Sequence, residues 1–172
     1  MNNKITIQAI GFLVYALLQV ILFRNFILFD QAFCFIYIGY LLLLPFDMNR
    51  ILQMLVGFIM GLFIDIFYDS LGIHAAASVL LMYLRPYWLN VVYGKDQNDS
   101  LSTPVLRNLG WRSFSVYVIP VILVHHAALF YIETGGFHMF FFTLAKTLMS
   151  TMLTYIMILI FQYLFYPKHR TI

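Results

Sequence analysis

Apolar runs recur along this chain at lengths close to the thickness of a bilayer, and no other feature limits its possible folds so tightly. Residues 5–23 form an uncharged run of 19, and further runs follow at 33–44, 51–67, 73–84, 116–132 and 140–166, divided by polar punctuation. About 20 apolar residues in a helix cross the hydrocarbon. The pattern therefore predicts an all-α integral membrane protein, a bundle of about six transmembrane helices forming one domain over 1–172. The second and fourth runs are short for this purpose and must borrow flanking residues. A five-span reading with one re-entrant segment is the alternative. Composition agrees: 63% of the residues are hydrophobic and 10% charged, against about 45–50% and 25% in a soluble domain.

The first run, preceded by Lys4, has the outline of a signal peptide. It is long for one, and Arg24-Asn25 follows it where a small-residue cleavage site would stand. It is read as an uncleaved first span.

Basic residues set the orientation. With the N-terminus inside, six spans place Lys4, Arg50, Arg85, Lys95, Arg107, Arg112, Lys168 and Arg170 on one side and only Arg24 on the other, with Lys146 inside the last span. Eight against one is the bias of cytoplasmic loops, so both termini are expected in the cytoplasm. The net charge of +3 is small, and no basic run suited to nucleic acid is present. The long loop, about 85–115, has a polar middle at 94–100. Thr103-Pro104 then reads as an N-cap and first helical residue, opening either a short helix at headgroup level or an ordinary juxtamembrane loop.

The segment 57–77, GFIMGLFIDIFYDSLGIHAAA, carries most of the distinctive chemistry. Gly57, Gly61 and Asp65 are spaced by four and climb one helix face, and two glycines there admit a close neighbouring backbone. A carboxylate inside an apolar helix requires stabilisation. A turn through Asp69 and Gly72 leads to a small-residue helix opening with His74. In an antiparallel hairpin His74 would meet Asp65, a structural hydrogen bond that we favour over a proton relay. The small-residue faces suit internal packing and partner contact equally.

Signs of catalysis or metal binding are lacking. Asp65 and Asp69 sit in one helix-turn segment, whereas an aspartyl dyad converges from two elements. The single cysteine, Cys34, reads as an apolar filler. His125 and His126 are about 100° apart around a helix and cannot easily ligate one metal. Glu133 and His138 flank an outer loop and are expected to be solvated. Lys146 is expected to snorkel outward, with pairing to Glu133 as the alternative. The expectation is a protein that is not an enzyme and carries no cofactor or metal.

Gly57-Phe58-x-x-Gly61-Leu62-x-x-Asp65, followed by Leu71-Gly72-Ile73-His74-Ala75, resembles the signature region of the rod shape-determining protein MreD family. Leu84-Arg85-Pro86-Tyr87-Trp88 is similar to the version in Bacteroidetes-type members. The motif covers about 30 residues; elsewhere the likeness is one of hydropathy, and the short turn between Asp65 and Gly72 departs from the family by lacking a glycine. The resemblance implies a non-enzymatic scaffold of the cell-elongation machinery in the bacterial inner (cytoplasmic) membrane. Its partner would be an MreC-like single-span protein and, through it, MreB, RodA and the elongation-specific peptidoglycan transpeptidase. The family is also similar in fold to substrate-binding subunits of energy-coupling-factor transporters, which supplies the alternative: a small-molecule-binding subunit needing a separate ATPase.

Overall fold

The computed structural model describes residues 2–100 and 103–165, and side chains within 5–94 and 103–165. Among these residues the chain forms six α-helices and one two-residue hairpin, in the order α1 (Asn2–Leu18), a π-helical turn (Gln19–Phe23), β1 (Ile27–Leu28), β2 (Ala32–Phe33), α2 (Tyr37–Leu42), α3 (Arg50–Tyr68), α4 (Ile73–Ser100), α5 (Leu106–Glu133) and α6 (Phe140–Phe165). Four stretches are long and apolar enough to cross a membrane: Ile5–Phe23, Arg50–Tyr68, Leu106–Glu133 and Phe140–Phe165. This is an all-α membrane protein.

The predicted second span is the part that differs most. Instead of a helix over 33–44, the chain runs extended through Phe33 and then winds only six residues, Tyr37–Leu42. Six residues rise about 9 Å, far short of a bilayer. The segment is nevertheless buried from Cys34 to Leu44. Non-helical backbone at membrane depth is stable only where protein surrounds it and satisfies its polar groups. Helix α6 does much of this. Ser150 Oγ accepts from Phe33 N at 2.9 Å and Thr154 Oγ1 from Phe35 N at 3.1 Å. From α1's π-turn, Gln19 Nε2 donates to the Cys34 carbonyl at 3.0 Å, and its Oε1 accepts from Tyr37 N at 3.4 Å.

Helix α3 starts at an Asn49 cap, whose side chain accepts from Ile51 N at 2.8 Å. It stops where Asp69 turns left-handed (φ 54°), a conformation that short polar residues tolerate. Helix α4 returns antiparallel to α3. The sequence predicts its end at Arg85-Pro86 and a polar loop after it, but the helix continues past Pro86 and bends only at Gly94 (φ 71°). One missing N–H costs a long helix one hydrogen bond, and neighbouring helices hold the rest. Gly110 (φ 73°) bends α5 in the same way, separating its first four residues from the long span that begins at Trp111. The expected loop over 85–115 is therefore mostly helix. The expected Thr103 cap does not form either: Val105 is the N-cap, without a side-chain bond, and Thr103 instead offers its carbonyl to Asn108.

The core lies between α2, α3, α4 and α5, with Tyr37, Phe114, Tyr117 and Phe130 among its largest fully buried side chains. Helix α1 stands at the margin, with many apolar side chains outward, Ile5 and Ile7 among the most exposed.

Candidate functional site

Gly57, Gly61 and Asp65 lie on one buried face of α3, as their spacing predicts, and that face packs against α4. A Cβ built on Gly61 would stand 2.5 Å from the His74 carbonyl oxygen and 2.6 Å from Ala75 N. Backbone touches backbone at this position. At Gly57 the nearest atom is the flexible Met82 Cγ at 2.7 Å, with Ser78 O at 3.1 Å. The glycine face is thus spent on contact within the chain.

One turn further along, Asp65 receives the start of α4. Its Oδ1 accepts from His74 N at 2.9 Å and its Oδ2 from Ala75 N at 2.9 Å. A carboxylate from α3 therefore caps α4, placing negative charge at the positive end of the helix dipole. Gly72 (φ 90°) supplies the turn that aims α4 at the cap. The same Oδ1 lies 3.0 Å from His74 Nδ1 and accepts from Ser70 Oγ at 2.6 Å. Asp65 and His74 are 5% and 4% exposed. The expected bond between imidazole and carboxylate is present, and Ser70 is an addition that the sequence reading missed.

Serine, histidine and aspartate in contact invite comparison with a hydrolase triad, but the wiring differs. A triad places the serine on the imidazole nitrogen opposite the aspartate. Here Ser70 Oγ is 2.8 Å from Nδ1, the nitrogen that also faces Asp65, and gives its proton to the carboxylate. Nδ1 then carries its own hydrogen, and Nε2, the other ring nitrogen, has no hydrogen-bond partner. The arrangement suits capping and does not prepare a nucleophile.

Beside it is a cavity of about 90 Å³, lined by Phe33, Phe35, Tyr68, His74, Glu133 and Lys146, with Ser70, Ile73, Leu129 and Phe130. Lys146 Nζ lies 2.9 Å from Glu133 Oε2, and 4.6 and 4.3 Å from the ring centres of Phe33 and Phe130. Lys146 therefore pairs with Glu133 at the end of α5, the alternative reading, and the expectation that it snorkels free to the headgroup region is corrected: an acid and two aromatic faces hold the ammonium. His138 is exposed, as expected.

At the opposite end of the bundle, Arg85 is fully buried, although the sequence assigns it to a loop as an orientation signal. Its Nε donates to Tyr117 Oη at 2.9 Å and its Nη1 to Gln53 Oε1 at 2.9 Å, while Nη2 meets the carbonyls of Leu42 and Leu44. The guanidinium closes the C-terminal end of α2, where a cation complements the helix dipole. Its place directly after a fourth run too short to span alone, where the helix must borrow the residues that follow, was the available signal. A second signal was the spacing of Thr143, Thr147, Ser150, Thr151 and Thr154, one face of α6 and all buried.

His125 and His126 point into the core separately. Tyr37 Oη bonds His125 Nε2 at 2.9 Å, and Thr154 Oγ1 bonds His126 Nε2 at 3.3 Å. Among the described residues no three His, Cys, Asp or Glu side chains are placed to hold a metal ion. Comparison with protein-family models, with curated proteins and with solved structures finds no match.

Proposed function

We propose that this chain is a multi-pass scaffold of the bacterial inner membrane, acting in cell elongation as MreD-like proteins do and holding an MreC-like partner through helix contacts. One observation carries the reading. The residues that make the resemblance, Gly57, Gly61, Asp65, Gly72 and His74, are the parts of a single device, a glycine-faced hairpin whose second helix is capped by the first. A motif of this kind fixes a fold and performs no chemistry.

The test is depletion of the protein from a rod-shaped host, with affinity recovery of the tagged chain in mild detergent. The scaffold reading expects rounded cells and co-purified MreC-like protein and peptidoglycan synthases. Normal rods with failed vitamin uptake, and an ATPase among the recovered proteins, would replace it with the transporter subunit.

A further inference from the structure

A groove runs between the first halves of α1 and α3, with the buried Tyr40 of α2 at its floor. Tyr40 holds α1 in place: its hydroxyl donates to the Gln8 carbonyl at 3.2 Å, and its ring meets Phe12 edge-on at 5.8 Å. Ile5, Ala9 and Leu13 line one wall, and Leu52, Val56 and Ile59 line the other. Spacings of three and four put each trio on a single helix face. At 1.5 Å per residue each ridge rises about 10–12 Å, roughly two turns. Val56 is half-buried and the other five are exposed. Two such ridges are the surfaces against which a third helix packs, its side chains seated between theirs.

Polar groups at the groove select its occupant. Asp47 lines the mouth, just before α3 begins; it is exposed and pairs with no cation among the described residues. A phospholipid chain lying in the groove would bring its phosphate toward this carboxylate, like charge against like. A membrane-spanning helix brings the opposite charge, because its cytoplasmic flank is rich in Lys and Arg. The mouth is at the end of the bundle where Lys4 and Arg50 also fall. Helices in lipid associate through packing and interhelical hydrogen bonds. Gln8 lines the groove half-buried, and its side-chain amide has no hydrogen-bond partner among the described residues. A helix from a second copy of this chain would carry its own bundle against the groove's walls. A helix that crosses alone meets no such obstacle.

We propose that this groove receives the single membrane-spanning helix of a partner protein, with a Lys or Arg of its cytoplasmic flank against Asp47. The proposal deepens the scaffold reading and rests on it for the expectation of a single-span partner.

The test places the photocrosslinking residue p-benzoylphenylalanine at Leu13, at Leu52 or at Ile160 of the full chain in its native host. Ile160 is an exposed residue of α6, away from the groove. Leu13 and Leu52 should give adducts with the spanning segment of one single-span protein that has a basic cytoplasmic flank, and Ile160 should not. Asp47→Lys, at an exposed position, should fold normally and lower the adduct yield about tenfold by setting like charges together. Adducts with lipid or a second copy alone, no adduct at either groove position, equal adducts at Ile160, or an unchanged yield in Asp47→Lys overturn the proposal. Failure of the groove is distinct from failure of the scaffold. An MreC-like protein that co-purifies with the chain yet never crosslinks from the groove overturns the groove alone. A groove adduct with a single-span protein unlike MreC keeps the groove and overturns the scaffold reading.

Discussion

Gly57 and Gly61 are one helical turn apart on the same face of α3, yet their surroundings make them unequal. A methyl group at Gly61 meets the backbone of His74 and Ala75, which cannot move without unseating the Asp65 cap. At Gly57 the first obstacle is Met82, an adaptable side chain. We therefore expect Gly61→Ala to abolish the monodisperse peak in size-exclusion chromatography, with Gly57→Ala leaving most of the protein folded. Equal tolerance would contradict the close approach of α3 and α4. Asp65 allows a graded test at the same contact. Leu removes the acceptor for two α4 N–H groups, at about 1–3 kcal/mol for each buried group left unpaired. Asn keeps one carbonyl oxygen and part of the bonding. The thermal midpoint in detergent should fall in the order wild type, Asp65→Asn, Asp65→Leu, and a Leu variant as stable as wild type would remove the carboxylate from the account.

Among the elements, the long apolar helices and the α3–α4 hairpin were legible because each satisfies its own backbone and needs only a hydrophobic run and a turn. The segment 33–44 was not. Its apolar residues read as a short span, whereas its extended course depends on partners about 120 positions later in α6. Arg85 was misread for a related reason: a basic residue before proline ordinarily marks a loop, and only the open carbonyl end of α2 makes burying it favourable. Asp65 and His74 were legible as a pair because a nine-residue hairpin brings them together. Ser70 was the nearest polar neighbour left out, and the Lys146–Glu133 pair was left as the alternative. Thr154→Val probes the hydroxyl ladder directly, since it keeps the shape and deletes the acceptor for Phe35 N. A loss of about 1–3 kcal/mol should accompany faster amide exchange at Phe35, while α3 amides stay protected. Unchanged exchange at Phe35 would mean that Thr154 does not hold the extended segment.

For the molecule as a whole, basic residues near the ends of its spans set which way it sits in a membrane. The fold gathers helix ends in a manner that can be tested against charge. Tyr40, in α2, donates to the Gln8 carbonyl in α1, and Gln53, in the second turn of α3, meets Arg85. Leu106 N, opening α5, donates to Gln162 near the end of α6. The start of α1, the start of α3, the far part of α4, the start of α5 and the end of α6 therefore lie toward one end of the bundle. With Arg85 withdrawn into the core, Lys4, Arg50, Lys95, Arg107 and Arg112 remain near that end by their places in the sequence. Lys168 and Arg170 lie outside the described residues, in the sequence just beyond α6. Arg24 stands at the other end, 6.0 Å from the Tyr68 ring centre. The bias survives the loss of Arg85, because basic residues near the ends of spans set orientation whether or not one of them is buried. Reporter fusions at Lys95 and after Ile172 should register as cytoplasmic, and one at Gly135, in the turn between α5 and α6, as periplasmic. If the fusions at Lys95 and Gly135 report the same side, α5 does not cross the bilayer; if the Ile172 fusion is periplasmic, an even number of crossings is excluded for a chain whose N-terminus is inside.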